Sequence, residues 1–171
     1  ISVVGVNGAG KTTLTKLIAG QLLPTEGNFQ HGNRSIIGYY AQHQAESLNL
    51  EATVYEEVSA TAATDYLTEI RTVLGVFQFS GENVNKKIKV LSGGEKARVS
   101  LAKMLLSPVN FLIMDEPTAV LAPQEIDELF KTLRSMVAQG KSIVFISHKL
   151  GEVMSIADRV TVLRKGQVTA A

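Results

Sequence analysis

The 171-residue sequence contains no cysteine and no tryptophan. Without thiols it can form neither disulfides nor thiolate metal sites, and its three histidines (His31, His43 and His148) lack the spacing of a zinc motif. The longest uninterrupted apolar runs hold four residues, against the roughly 20 that a membrane-spanning helix needs. We therefore expect no zinc centre and no insertion into a membrane.

An excess of charge of one sign is also missing, because 17 lysines and arginines stand against 16 aspartates and glutamates. A dedicated nucleic-acid binder usually carries a basic excess, so we expect no direct, sequence-specific contact with nucleic acid. The chain is 45% hydrophobic and 19% charged, close to the average of soluble domains. The resulting prediction is one globular domain over residues 1–171.

Short apolar runs alternate with segments of helical period, a pattern typical of an α/β fold with a mostly parallel sheet flanked by helices. Residues 43–90 carry two helical patterns with no strand between them, which predicts an inserted helical subdomain. Strands are predicted at 1–5, 34–42, 110–116, 142–147 and, as the last one, 160–163. Helices are predicted at 11–22, 53–61, 65–77, from a cap at 92 to 106, at 123–138 and at 153–157.

The segment GVNGAGKT (residues 5–12) matches the phosphate-loop pattern GxxxxGK(S/T) between a buried strand and an amphipathic helix. Its glycines let successive backbone N–H groups face phosphate oxygens, Lys11 reaches the β- and γ-phosphates, and Thr12 holds magnesium. The alternative is a chance glycine-rich turn, which would not supply the lysine, the hydroxyl and both flanking elements together. We therefore predict a nucleoside triphosphate site that binds ATP and Mg²⁺. Its predicted residues are Gly5, Asn7, Gly8, Gly10, Lys11 and Thr12.

The apolar strand FLIM (residues 111–114) ends in two carboxylates, Asp115 and Glu116. An aspartate at such a strand end can complete magnesium coordination beside the phosphate loop, and a neighbouring glutamate can accept a proton from the attacking water. A strand that ends in solvated acids is the alternative. The metal role is favoured because the phosphate loop supplies only one protein ligand, so Asp115 is predicted to bind the metal and Glu116 to be the general base.

The string LSGGE (residues 91–95) opens a predicted helix. A serine hydroxyl and bare glycine backbone at a helix N-terminus present donors to an anionic oxygen, although SGG is also an ordinary turn before a helix. Because it lies between a phosphate loop and DEPT (115–118), it resembles the signature motif LSGGQ or LSGGE of the ATP-binding cassette (ABC) family. The resemblance implies a P-loop NTPase fold and a head-to-tail dimer. In that dimer Ser92, Gly93 and Gly94 contact the γ-phosphate bound by the second ABC domain.

The same resemblance implies roles for three single residues. Gln42 matches the glutamine that contacts magnesium and the attacking water, His148 matches the switch histidine that contacts the γ-phosphate, and Thr13 is expected to touch the α-phosphate. The implied organisation is a RecA-like core of residues 1–42 and 91–171. Residues 43–90 are then the helical subdomain, which continues into the signature helix.

Two branches of the family share the resemblance. Residues 1–116 are similar to F-type cassettes, soluble ATPases that act on ribosomes, whereas residues 111–171 are similar to the ATPase subunits of sugar and nucleoside importers. Our hypothesis for this change is a join near Asp115, as in a chimera, a designed recombination or an imperfectly assigned sequence. The F-type pattern has NHLD where this chain has AVLA at 119–122, so Ala122 replaces the D-loop aspartate. Family members also carry an antiparallel subdomain before the phosphate loop, and we expect it to be missing from this sequence.

From these motifs we expect a cassette that binds and hydrolyses Mg-ATP as a dimer, with a ribosome or a membrane permease as its further partner. An F-type, translation-associated role is favoured because that resemblance covers the longer stretch. An importer-like transporter subunit and a catalytically idle nucleotide-binding fragment stay open as alternatives. The expected location is the cytoplasm, at the membrane periphery for a transporter subunit.

Overall fold

The computed structural model of the protein describes residues 1–41, 47–62 and 67–170. Its six-stranded sheet has the order β2-β3-β4-β1-β5-β6, and every neighbouring pair is parallel except β5 with β6. The strands are β1 (Ser2–Val4), β2 (Ile37–Tyr40), β3 (Phe111–Asp115), β4 (Ser142–Ile146), β5 (Val160–Arg164) and β6 (Gln167–Ala170). The helices are α1 (Lys11–Ile18), α2 (Val54–Ser59), α3 (Ile70–Val76), α4 (Gly93–Leu106), α5 (Pro123–Ala138) and α6 (Leu150–Ile156). The predicted α/β fold with a mostly parallel sheet is confirmed.

Contacts divide the described residues into two units. Unit 1 comprises residues 1–41, 109–117 and 133–170 and contains the whole sheet, and unit 2 comprises the described residues from 47 to 108 together with 118–132. The division differs from the predicted one, because residues 91–108 and 118–132 were assigned to the core and here group with the helical segment. The assignment of residues 1–171 to one domain stays a prediction.

Unit 1 has a hydrophobic core between the sheet and α1. Its buried cluster consists of Val3, Ala9, Ile113, Val144, Ile146 and Leu163, and Leu14 and Ile18 pack against it from α1. Strands buried in a parallel sheet are apolar on both sides, which explains why β3 and β4 read as continuous apolar runs. The packing holds the loop after β1 at the carboxyl ends of the strands, where ligands bind in open α/β sheets.

Helix α1 ends four residues earlier than the predicted 11–22. Gly20 has a φ of 72°, the left-handed conformation that suits glycine after a helix. Its N–H donates to the carbonyl of Leu17 at 3.0 Å, and the N–H of Gln21 donates to that of Lys16 at 2.8 Å. These two bonds form a Schellman motif, so the helix stops at Gly20, ahead of the helix breakers Pro24 and Gly27.

Unit 2 is helical, and α2 and α4 begin at capped residues. Short 3-10 helices at Gly81–Asn85 and Ile88–Val90 lead into α4. The side chain of Thr53 caps α2 and that of Ser92 caps α4, and each is answered by a glutamate three residues later in a capping box. The cap predicted at Ser92 and the end predicted at 106 are therefore both confirmed.

Three further predicted boundaries need correction. The helix expected at 65–77 begins at Ile70, with residues 63–66 outside the described ranges, and α6 begins at Leu150 instead of Val153. The strand predicted as the last one is followed by β6. Lys165 (φ 50°) and Gly166 (φ 75°) make the two-residue turn that pairs β5 with β6 antiparallel, a geometry typical of tight hairpins.

Among the described residues no helix is long and apolar enough to cross a membrane.

Candidate functional site

The loop between β1 and α1 has the backbone of a phosphate-binding loop. Gly8 and Gly10 adopt left-handed conformations, with φ of 78° and 98°. A Cβ at Gly5 would lie 2.4 Å from the backbone oxygen of Leu163, so only glycine fits there. Asn7 and Gly8 are exposed at the tip, as is Thr13 in the first turn of α1.

Lys11 lies at the start of α1 with its ammonium folded back into this loop. Nζ donates to the carbonyl of Gly5 at 2.7 Å and to that of Val6 at 3.3 Å, and the residue is only 8% exposed. An ammonium has three donors. One therefore remains for an anion in the loop, and the two carbonyls hold the charge in place.

Thr12 and Asp115 are brought together although they are far apart in the sequence. The Thr12 hydroxyl donates to Oδ2 of Asp115 at 3.1 Å. Burial raises the pKa of the Asp115 carboxyl; the Thr12 hydrogen bond opposes this rise, and the nearby Glu116 carboxylate adds to it. A partly desolvated carboxylate beside a hydroxyl is a donor set of hard oxygens, which suits Mg²⁺. A bound cation would favour the ionised form that burial disfavours.

Glu116 and His148 also meet in unit 1. Oε1 of Glu116 lies 2.8 Å from Nδ1 of His148, whose side chain is 60% exposed. Glu116 has a φ of 52°, and its N–H donates to the carbonyl of Ile146 at 3.0 Å, which fixes the backbone at the end of β3. Its second carboxylate oxygen, Oε2, is buried and has no hydrogen-bond partner among the described residues. One oxygen is thus oriented by His148 and the other is left as an acceptor.

The signature segment lies in unit 2, at the start of α4. The Ser92 hydroxyl accepts from the N–H of Glu95 at 3.3 Å, and the Glu95 carboxylate accepts from the N–H of Ser92 at 2.7 Å. These bonds lower the pKa of Glu95. Gly93 and Gly94 are exposed, and nothing lies within 4 Å of where their Cβ atoms would be. The hydroxyl hydrogen of Ser92 and the bare backbone behind it are therefore available to an anion.

Two features of the candidate site were not predicted from the sequence. Glu95 was read only as a signature residue, although Ser-x-x-Glu at a helix start is the sign of a capping box. Glu125 was not singled out, yet its buried carboxylate accepts from the N–H of Ala122 at 2.7 Å and from Arg98 at 2.8 Å. The predicted metal and water contact of Gln42 lies outside the described residues.

Residues 1–119 match the family model described as ABC transporter. The chain belongs to the ABC transporter family. It is 36% identical over 170 residues to ATP-binding cassette sub-family F member 3 of Rattus norvegicus, covering 99% of this chain and 23% of that protein. It is 34% identical over 184 residues to the nucleoside import ATP-binding protein NupA of Lactococcus lactis subsp. cremoris (strain MG1363), covering 97% of this chain and 36% of that protein.

Among solved structures, the fold is similar to the dimeric structure of MJ0796, a bacterial ABC transporter cassette. The TM-score is 0.78 at 23% identity, over 99% of this chain and 82% of that chain, which shows the ABC cassette fold. The chain spans between about a quarter and about a third of the length of the two relatives above. Its membership therefore rests on a shared cassette, a nucleotide-binding domain of the ABC ATPase type.

Proposed function

We propose that this cassette hydrolyses Mg-ATP as a head-to-tail dimer. The observation that carries the proposal is the placing of Thr12 beside Asp115, at the carboxyl end of the sheet and next to Glu116. The loop of residues 5–12 offers backbone N–H groups and the Lys11 ammonium to phosphates. The oxygens of Thr12 and Asp115 suit a divalent cation, and the Glu116 carboxylate can accept a proton. Together these are the parts that phosphoryl transfer to water requires.

On this proposal the phosphate chain lies in the loop formed by Gly5, Asn7, Gly8 and Gly10. Lys11 binds the β- and γ-phosphates, and Thr13 contacts the α-phosphate. Thr12 and Asp115, with Gln42 as the resemblance implies, would hold magnesium, which would supply positive charge against the charge that develops on the phosphate oxygens. Remaining ligands come from water and phosphate, because among the described residues no three acidic, histidine or cysteine side chains cluster at a metal-binding distance.

Glu116 is proposed as the general base that takes a proton from the attacking water. His148 holds the carboxylate through Oε1 and, being exposed, extends towards the γ-phosphate. Breaking the bond between the γ-phosphorus and the β–γ bridging oxygen releases inorganic phosphate and ADP. The water supplies the incoming oxygen and Glu116 accepts its proton.

Ser92, Gly93 and Gly94 are proposed to complete the site of a second cassette. They present donors at the start of a 14-residue helix, where the helix dipole favours an anion. A second ABC domain is therefore the direct partner, which agrees with the dimeric cassette that shares the fold.

Lys11→Ala tests the nucleotide site. Removing the only side-chain cation of the loop should abolish tight ATP binding measured by calorimetry, together with phosphate release. Lys131→Ala, which removes an exposed lysine paired with Glu128, is the matched control and should leave both unchanged. Unchanged ATP affinity in Lys11→Ala would show that the loop does not bind the phosphates.

For the biological role we propose an F-type, ribosome-associated ATPase in the cytoplasm. The resemblance of residues 1–116 and the likeness to a sub-family F cassette support this role. A nucleoside or sugar importer subunit, peripheral to the membrane, is the second candidate, because the likeness to NupA spans 97% of the chain. Co-sedimentation with ribosomes in the presence of ATP is expected for the first role. Binding to a membrane permease instead would assign the second, and nucleotide binding without hydrolysis or binding to either partner would favour an idle nucleotide-binding fragment.

A further inference from the structure

Glu125 joins two segments of unit 2 through both oxygens of one buried side chain. Oε1 accepts from Nη1 of Arg98 in α4 at 2.8 Å, and Oε2 accepts from the backbone N–H of Ala122, the residue before α5, at 2.7 Å. The Glu125 side chain is only 2% exposed. The carboxylate is therefore a rigid clamp between the signature helix and the loop of residues 118–122, called the clamp loop below.

Arg98 is itself held from two directions. Its guanidinium carbon lies 5.8 Å from the centre of the Phe79 ring, a cation–π contact, while Nη1 reaches Glu125. Six residues separate Arg98 from Ser92, about 9 Å along a helix axis. A shift of the clamp loop away from Glu125 would break its hydrogen bond to a carboxylate that Arg98 holds in place. Arg98 belongs to α4, the helix that Ser92 caps.

A buried ion pair contributes little net stability, because removing two charges from water costs about as much as their attraction returns. Breaking such a pair costs much more than the pair contributes to stability, because it leaves an unpaired charge buried away from water. The pair therefore strongly favours one arrangement of the two segments. Glu125 adds a backbone hydrogen bond to that pair. The clamp therefore specifies the position of Ala122 more than it stabilises unit 2.

We propose that Glu125 is a positioning residue that fixes the spacing between the clamp loop and the start of α4. The inference rests on the proposed function, in which Ser92 meets the nucleotide of a second cassette. With Glu125 in place, the clamp loop and the signature serine approach the partner cassette as one surface. Glu125 does not touch nucleotide, and it acts through Ala122 and Arg98.

A purely structural role is the alternative, and the chain offers a matched control for it. Glu57 of α2 is also buried, at 5% exposure against 2% for Glu125, and its carboxylate has the same two kinds of partner. Its Oε1 pairs with Lys103 of α4 at 2.5 Å, and its Oε2 accepts from the N–H of Asn49 at 3.3 Å. Both glutamates therefore tie a backbone N–H to a cation of α4, but only Glu125 does so at the clamp loop.

The test compares Glu125→Gln with Glu57→Gln in the full chain. For each we measure urea unfolding, ATP affinity of the dilute protein by calorimetry, and steady-state ATPase at saturating Mg-ATP. We expect similar losses of stability and ATP affinity within about twofold of the parent for both variants, but a kcat at least about tenfold lower for Glu125→Gln alone. Should Glu125→Gln fail to fold, Arg98→Lys against Lys103→Arg gives the same comparison, since lysine keeps the charge without the planar fork.

Equal kcat values for the two glutamine variants would overturn the positioning role. So would a loss of kcat in Glu125→Gln that is explained by its loss of folding stability. So would a weakened ATP affinity as the sole defect. These outcomes differ from failure of the proposed function, in which the parent chain itself shows no ATPase at any concentration. In that case the positioning role is refuted along with the function.

Discussion

Oε1 of Glu116 lies 2.8 Å from Nδ1 of His148. The contact follows from strand register, because Asp115 of β3 pairs with Ile146 of β4 and the two strands end level. The residues just beyond those ends therefore face each other. Neither the separation of 32 residues nor their types predicts this contact without the parallel pairing of β3 with β4.

Glu116→Gln should slow turnover by about 10²- to 10⁴-fold and leave ATP affinity unchanged, because the amide cannot accept the proton of water. The amide oxygen can still accept from His148, so the local geometry is kept. Phosphate release and calorimetry measure the two effects. His148→Ala is the companion variant and should lower kcat less than Glu116→Gln, since it leaves the base in place. A Glu116→Gln variant that turns over at the parent rate would remove Glu116 from the mechanism.

Ser92→Arg should block dimer closure while ATP still binds to the phosphate loop. The bulky cation would occupy the space offered to the partner's γ-phosphate. The substitution also removes a capping box, which costs about 1 kcal/mol of stability. Thr53→Arg is the matched control, because it removes the equivalent capping box of α2 away from the signature. We expect ATPase to be lost only in Ser92→Arg, and equal activity of the two variants would contradict a role in trans.

Ala122→Ser should raise the free energy of unfolding by about 1 kcal/mol, since a serine at this position completes a half-made capping box. The other half exists already, because Glu125 accepts from the N–H of Ala122. Urea unfolding measures the gain. Ala138→Ser, at the exposed last residue of α5, is the control and should not stabilise.

The same position tests the missing D-loop aspartate. Ala122→Asp and Ala122→Asn both supply a cap, but only the first adds a carboxylate that can accept hydrogen bonds across the dimer. We expect ATPase to rise in Ala122→Asp alone. An equal rate in both variants and the parent would show that Ala122 does not limit activity.

Acidification should weaken the start of α4. The pKa of Glu95 lies below its ordinary value of 4.5, chiefly because the carboxylate accepts from the N–H of Ser92. A lowered folded-state pKa means that the stabilisation is present above the unfolded value and is lost as the pH falls through the folded one. Glu95→Gln keeps the cap without the titrating group. Its free energy of unfolding should therefore fall less steeply than the parent's below about pH 4.5, and identical slopes would refute the assignment.

Sequence patterns predicted the elements whose signals are local. Gly10 and Lys11 mark the start of α1, Ser92 caps α4, and Pro123 opens α5 at the predicted residue. The predicted end of α1 at residue 22 was wrong because Gly20 stops the helix. Pro24 and Gly27 are equally strong helix breakers nearby, so the sequence alone does not single out Gly20. β6 was missed because it has only four residues and all of them are exposed.

Long-range pairs were beyond the sequence. The hydrogen bond between Thr12 and Asp115 was anticipated only as a shared metal role, and the clamp of Glu125 on Arg98 and Ala122 was not anticipated. Such contacts depend on which helix packs where. Local patterns in a single sequence do not specify which residues of packed elements come into contact, even where the residue types suggest a function.

On the proposed mechanism two cassettes must dimerise for hydrolysis, because Ser92 of one chain completes the nucleotide site of the other. The most direct measurement is steady-state ATPase per milligram at saturating Mg-ATP, across protein concentrations that span self-association followed by light scattering. If dimerisation completes the site, the specific activity should rise with concentration and level off as the dimer population saturates. A specific activity that is constant while the monomer fraction changes, or no hydrolysis at any concentration, would contradict it.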